Sequence, residues 1–99
     1  MQLSTLDRIL LLNLLPKEGN ITNLKIIREL RESLSFSEEE HKDLNFTNKD
    51  GFMQWNNILD KNFELGDVAM TLVKEQLRAA DKEEKLTEQH LPLWEKFIE

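Results

Sequence analysis

The stretch that decides the fold runs Ser37-Glu38-Glu39-Glu40-His41-Lys42-Asp43-Leu44-Asn45-Phe46-Thr47-Asn48-Lys49-Asp50-Gly51-Phe52-Met53-Gln54-Trp55. Ser37 with Glu40 three residues on is a capping box, in which side chain and backbone at a helix start satisfy each other's hydrogen bonds. Glu38, Glu39 and Glu40 fill the first turn, where the positive end of the helix dipole favours carboxylates. The helix that begins here is short and is expected to end near Leu44. Leu44-Asn45-Phe46-Thr47 alternates apolar and polar, and Phe52-Met53-Gln54-Trp55 does so less cleanly. Between them Asp50-Gly51 signals a hairpin, because Gly takes positive φ at no steric cost. The stretch therefore reads as a helix followed by a β-hairpin.

Upstream, Leu24, Ile27, Leu30 and Leu34 recur at helical spacing, with Ile26 beside them. They predict a helix over about Asn23 to Ser33, capped by Thr22 or Asn23. Lys25, Arg28, Glu29, Arg31 and Glu32 form its solvated face. Ile21-Thr22 reads as a short strand. A first helix, capped by Ser4 or Thr5, is expected to run to about Leu15 and to end at Pro16 and Gly19. Its apolar residues cover more than one stripe, so burial on several sides is expected.

Downstream, Asn56 to Lys61 is a polar bridge around Ile58 and Leu59, and Asn62-Phe63-Glu64-Leu65 reads as a third strand. Asp67 is expected to cap a long helix to about Lys85, with Val68, Ala69, Leu72, Val73, Leu77 and Ala80 as its buried stripe. Thr87 can cap a last helix presenting Leu91, Trp94, Phe97 and Ile98, with Leu86 stapled onto Leu91. Pro92 requires a kink there, or a helix that starts near His90. The expected architecture is α+β and mainly helical, a single domain over residues 1–99. It comprises a core at 4–56, a third strand at 62–65 and a C-terminal helical pair at 67–98.

Composition narrows the function classes. The 99 residues carry a net charge of −6, with 39% hydrophobic and 32% charged residues. That balance is too apolar for a disordered chain and opposes loose binding to nucleic acid or anionic membrane. With no Cys, disulfides, thiolate nucleophiles and Cys-based zinc sites are excluded. A reducing interior is the expected setting. The apolar burst from Ile9 to Leu15 is too short to span a bilayer and lacks a basic leader.

Each candidate chemistry has a plain structural counterpart. Glu38-x-x-His41 has the spacing of one carboxylate-bridged metal motif, but those sites need two such motifs, and no second accompanies His90. There is no Gly-rich phosphate loop and no nucleophile elbow, so neither enzyme activity nor a cofactor is expected. Paired carboxylates such as Glu83-Glu84 are neighbours on a helix end and do not face each other across a cleft. What remains is protein binding. Glu38, Glu39, Lys42 and Asp43 would present a charged surface, and Trp55 and Trp94 are anchors of the kind enriched at interfaces. Both tryptophans also suit a small core, which large rings dominate. A homodimer through the C-terminal helices is a further expectation.

The order of elements from Leu6 to Trp55 resembles a winged helix-turn-helix domain. That resemblance implies a DNA-binding fold, yet the helix meant for the groove carries Glu38, Glu39, Glu40 and Asp43 against Lys42 alone. Phosphate contacts dominate such affinity, so the charge opposes the usual role. A second resemblance lies in the wording of the chain. Arg8-Ile9-Leu10-Leu11-Leu12, Leu15-Pro16-Lys17-Glu18-Gly19, Leu24-Lys25-Ile26-Ile27-Arg28-Glu29-Leu30, Phe36-Ser37-Glu38-Glu39-Glu40 and the end from Lys85-Leu86-Thr87 are similar to a small uncharacterised family of phage and prophage proteins. This resemblance implies a phage accessory protein in the bacterial cytoplasm, bound to a host or phage protein and modulating it. Two alternatives accompany it. One is an acidic inhibitor of a host nucleic-acid-binding machine, in defence or transcription. The other is a winged-helix DNA-binding regulator using Lys17, Lys25, Arg28 and Arg31.

Overall fold

A computed structural model describes residues 1–56 and 60–99. It is α+β and mainly helical, with five α-helices and two small antiparallel sheets. The elements are β1 (Gln2–Leu3), α1 (Thr5–Leu14), α2 (Ile21–Leu34), α3 (Glu38–Leu44), β2 (Thr47–Lys49), β3 (Phe52–Gln54), β4 (Lys61–Asn62), α4 (Asp67–Lys82), a 3₁₀ turn (Glu88–His90) and α5 (Leu91–Phe97).

Local chemistry sets most of these boundaries. The expected capping box at Ser37 and Glu40 forms, and a second one joins Ser4 to Asp7 at the start of α1. Asn45 closes α3 in the left-handed region, at φ 46°, where Asn tolerates the strain better than most residues. Asp50 and Gly51 both take positive φ, 54° and 81°. Two positive values in a two-residue loop match the right-handed twist of the hairpin strands. β2 and β3 pair through Thr47 with Gln54, Asn48 with Met53 and Lys49 with Phe52.

Several expectations are corrected. Ile21-Thr22 is not a strand but the first turn of α2, because Asn20 caps that helix by accepting from the Asn23 backbone N–H at 2.8 Å. The first hairpin strand is Thr47–Lys49 rather than 44–47, because Leu44 still belongs to α3 and Asn45 closes it, and the second ends at Gln54 rather than Trp55. The third strand covers residues 61–62 rather than 62–65, and it pairs with β1, not with the hairpin. The Phe63 N–H donating to the Met1 carbonyl at 2.7 Å extends that pairing. α4 is capped at Gly66, not Asp67, and stops at Lys82, not Lys85. Glu84 takes φ 57°, Lys85 N–H donates to the Ala80 carbonyl, and Glu84 N–H donates to the Asp81 carbonyl. Together these bonds turn the chain out of the helix. Val68, expected in the buried stripe, is exposed, as is Leu91. Pro92 lies in the first turn of α5, which begins after His90 as expected. Part of the expected polar bridge, residues 57–59 with Ile58 and Leu59, lies outside the described residues.

The core joins α1, α2, α4, α5 and β1. Leu3, Leu11, Ile27, Leu30, Leu34, Leu72, Val73, Leu77, Leu93 and Phe97 are buried together. No helix of the described residues is long and apolar enough to cross a membrane.

Candidate functional site: an aromatic groove beside the acidic helix

Two charged residues in α1 hold the surroundings of this site. Arg8 is only 1% exposed, yet every part of its guanidinium is engaged. Nε donates to the Leu34 carbonyl at 3.1 Å, and Nη2 donates to the Ser35 carbonyl at 2.7 Å. Nη1 and Nη2 form a fork onto the Glu40 carboxylate. The guanidinium carbon lies 4.0 Å from the centroid of the Phe36 ring and 5.2 Å from that of Phe63. A planar cation with five donors can satisfy two carbonyls, a carboxylate and two ring faces at once, which a lysine cannot.

Arg8 holds the Glu40 carboxyl down to about 2, from an ordinary 4.5, chiefly through the side-chain hydrogen bond. Partial burial opposes this, while the Ser37 N–H, the charge of Arg8 and that of Lys61 reinforce it. Lys61 Nζ stands 3.9 Å from Glu40. The neighbouring Asp7, 2% exposed, turns the other way. It accepts from Ser4 N–H and from Lys96 Nζ of α5 at 2.6 Å. No buried side-chain nitrogen or oxygen among the described residues lacks a partner.

Arg8 thus fixes the Leu34-Ser35-Phe36 turn and the start of α3. Phe36 is thereby placed on one wall of a groove of about 250 Å³, lined also by Ile9, Leu12 and Asn13 of α1, His41 of α3, Phe46 and Met53. The rings meet edge to face: Phe36 to Phe46 at 5.2 Å, His41 to Phe46 at 5.5 Å and Phe36 to His41 at 6.1 Å. Phe46 passes the chain on to Trp55 at 6.0 Å. Such arrangements oppose ring edge to ring face, the preferred electrostatics of aromatic pairs. The Asn56 N–H donates to the Leu44 carbonyl at 2.7 Å and ties the hairpin base to α3. Met53 in the groove lining is 57% exposed, and its neighbour on β3, Phe52, is 72% exposed.

The site residues expected from sequence divide into two places. Glu38, Glu39, Lys42 and Asp43 are exposed on α3, the helix that supplies His41. Trp55 is half-buried and reaches the groove through Phe46. Trp94 is half-buried against the core and lines a different cleft, at the end of α4. Sequence reasoning missed Phe36, Phe46, Ile9, Leu12 and Met53 as a group, and missed Asp7, Arg8 and Lys96 as tethers. One signal was present: two phenylalanines bracket a helix that has almost no apolar face of its own. Among the described residues, no group of three or more His, Asp or Glu is placed to hold a metal ion. Comparison with protein-family models, with curated proteins and with solved structures finds no match.

Proposed function

We propose that the protein is a non-enzymatic accessory module that binds another protein through the aromatic groove and modulates it. The observation that carries this reading is the groove itself, an almost wholly apolar concavity with the exposed Met53 in its lining. Apolar side chains left together at a surface are characteristic of interaction sites. In this reading residues 4–56 are a winged-helix-like scaffold used for protein rather than DNA. Glu38, Glu39 and Asp43 form a charged rim that speeds encounter more than it deepens affinity. On this reading the partner is a protein of a bacterial host or of the phage, as the resemblance to phage proteins implies. An acidic mimic of nucleic acid draws less support, because Glu40 is turned onto Arg8 and withdrawn from the acidic surface.

The test is affinity capture from a nuclease-treated bacterial lysate, with the unaltered chain and with Met53→Asp run in parallel. Met53 is exposed, so the variant should keep the far-ultraviolet circular dichroism and melting point of the parent. One stoichiometric protein retained by the parent and lost from Met53→Asp is the expected result. Equal retention by both chains, or retention by neither, defeats the proposal.

A further inference from the structure

A second cleft, of about 440 Å³, lies where the end of α4 meets the 3₁₀ turn and α5. We infer that this cleft binds an organic cation: an ammonium group carried on a compact apolar body. Independent features converge on that chemistry. Leu86, Leu91 and Trp94 supply an apolar floor, and Leu91 is 57% exposed although its neighbour Leu93 is fully buried. Asp81 and Glu88 line the same cleft, and neither Lys nor Arg does. Among the described residues neither carboxylate has an ion-pair partner; Lys85, close in sequence, is paired with Glu83 at 3.0 Å.

Asp81 also sits in the last turn of α4. There the negative end of the helix dipole opposes a carboxylate and favours a cation. His90 is engaged at home: its Nδ1 lies 3.0 Å from the Thr87 backbone nitrogen. Trp94 is the aromatic residue best suited to a cation, because the face of its ring carries the largest negative potential. A volume of this size falls within the range of small-ligand sites. A neutral ligand would use the floor alone, and an inorganic cation would use the carboxylates alone. An alkylammonium uses both.

The test is a two-dimensional amide and indole NMR titration of the intact chain with cyclohexylammonium, run against cyclohexanol, its uncharged counterpart of nearly equal shape. Shifts confined to the Trp94 indole N–H, Leu91 and the end of α4 are expected, with cyclohexylammonium at least about tenfold tighter. Tenfold is ~1.4 kcal/mol, within reach of one cation–aromatic contact and a screened ion pair. Asp81→Asn combined with Glu88→Gln, both at exposed positions, should leave the fold intact and narrow the preference for cyclohexylammonium to the part that Trp94 supplies, about threefold. Added N-acetyl-lysine methylamide separates the sources. Binding as tight as cyclohexylammonium assigns the cleft to a lysine side chain of a peptide, and weaker binding assigns it to a free amine. Equal affinity for cyclohexylammonium and cyclohexanol in the parent, unchanged discrimination in the double variant, or no shifts at Trp94 overturns the inference.

Discussion

Replacing Glu40 by Gln keeps the side-chain shape and removes the charge that faces buried Arg8. In the folded chain the Glu40 carboxyl lies at about 2 against an ordinary 4.5. That displacement of roughly two and a half pH units, at 1.36 kcal/mol each, sets an upper limit of about 3 kcal/mol of stability at neutral pH. The Glu40 side chain keeps about a quarter of its exposure, and solvent screening lowers the expectation to about 2 kcal/mol. Because the folded value is depressed, this stability is fully present above about pH 5. It drains away as pH falls through 4.5 towards 2. At pH 3 the folded carboxyl is still ionised while the unfolded one is mostly protonated, so about half of the contribution survives. Urea unfolding followed by tryptophan fluorescence measures the gap. For a domain of this size the parent should exceed Glu40→Gln by about 2 M in midpoint at pH 7 and by about 1 M at pH 3, taking a slope of ~1 kcal/mol/M. A gap that stays constant from pH 7 to pH 3, or that widens, would refute the assignment of Glu40 as the partner of Arg8.

The remaining expectations test separate parts of the fold. Asp7→Ala removes one arm of the capping box and the buried partner of Lys96, and should cost about 2–4 kcal/mol in chemical denaturation; a loss below 1 kcal/mol would show that the α1–α5 tether is absent in solution. Glu84→Gly relieves a left-handed conformation and should raise stability by about 0.5–1 kcal/mol, seen as a higher thermal midpoint. Gly51→Ala meets no neighbouring atom within 4 Å, so its expected cost of about 1 kcal/mol comes from positive φ alone; a neutral result would place the hairpin turn in another conformation. Leu77→Ala, at a fully buried site, should cost about 2–5 kcal/mol.

What the sequence made legible was local. Ser37 with Glu40, Asp50 with Gly51, and Pro92 each act within four residues, and each produced the expected structure. Two of the misreadings have clear causes, a partner distant in sequence and an unconventional residue at a stop signal. β4 pairs with β1 across some sixty residues, through two positions each. Nothing in Gln2-Leu3 or Lys61-Asn62 carries a strand pattern strong enough to announce it. α4 ends at a left-handed Glu84 where glycine would have marked the stop, so the reading ran on to Lys85. The tryptophans, weighed between core and interface, are both half-buried: Trp94 packs against the core, and Trp55 meets Phe46. The groove was invisible because its lining comes from α1, the α2–α3 turn, α3 and the hairpin, none of which is unusual alone.

Asp7 and Arg8 show why the tethers were the hardest feature to foresee and why they matter to the groove. In the sequence they look like two polar residues preceding an apolar burst. Successive residues on a helix point about 100° apart, so adjacent opposite charges there need not meet. They can instead reach different neighbours. Asp7 reaches Lys96 of α5, and Arg8 reaches Glu40 of α3. An unpaired charge in such a place would be costly, and each pair is worth most as a constraint, because breaking it leaves its buried partner exposed to that cost. Glu40 is therefore both the closing residue of a capping box and the counter-charge of a buried arginine. The capping box closes the start of α3, and the Arg8 bonds fix that start against α1 although the helix buries only Leu44. A helix held by its charges in this way leaves its remaining surface free. The apolar wall beside it then rests on Phe36, which the same arginine holds in place.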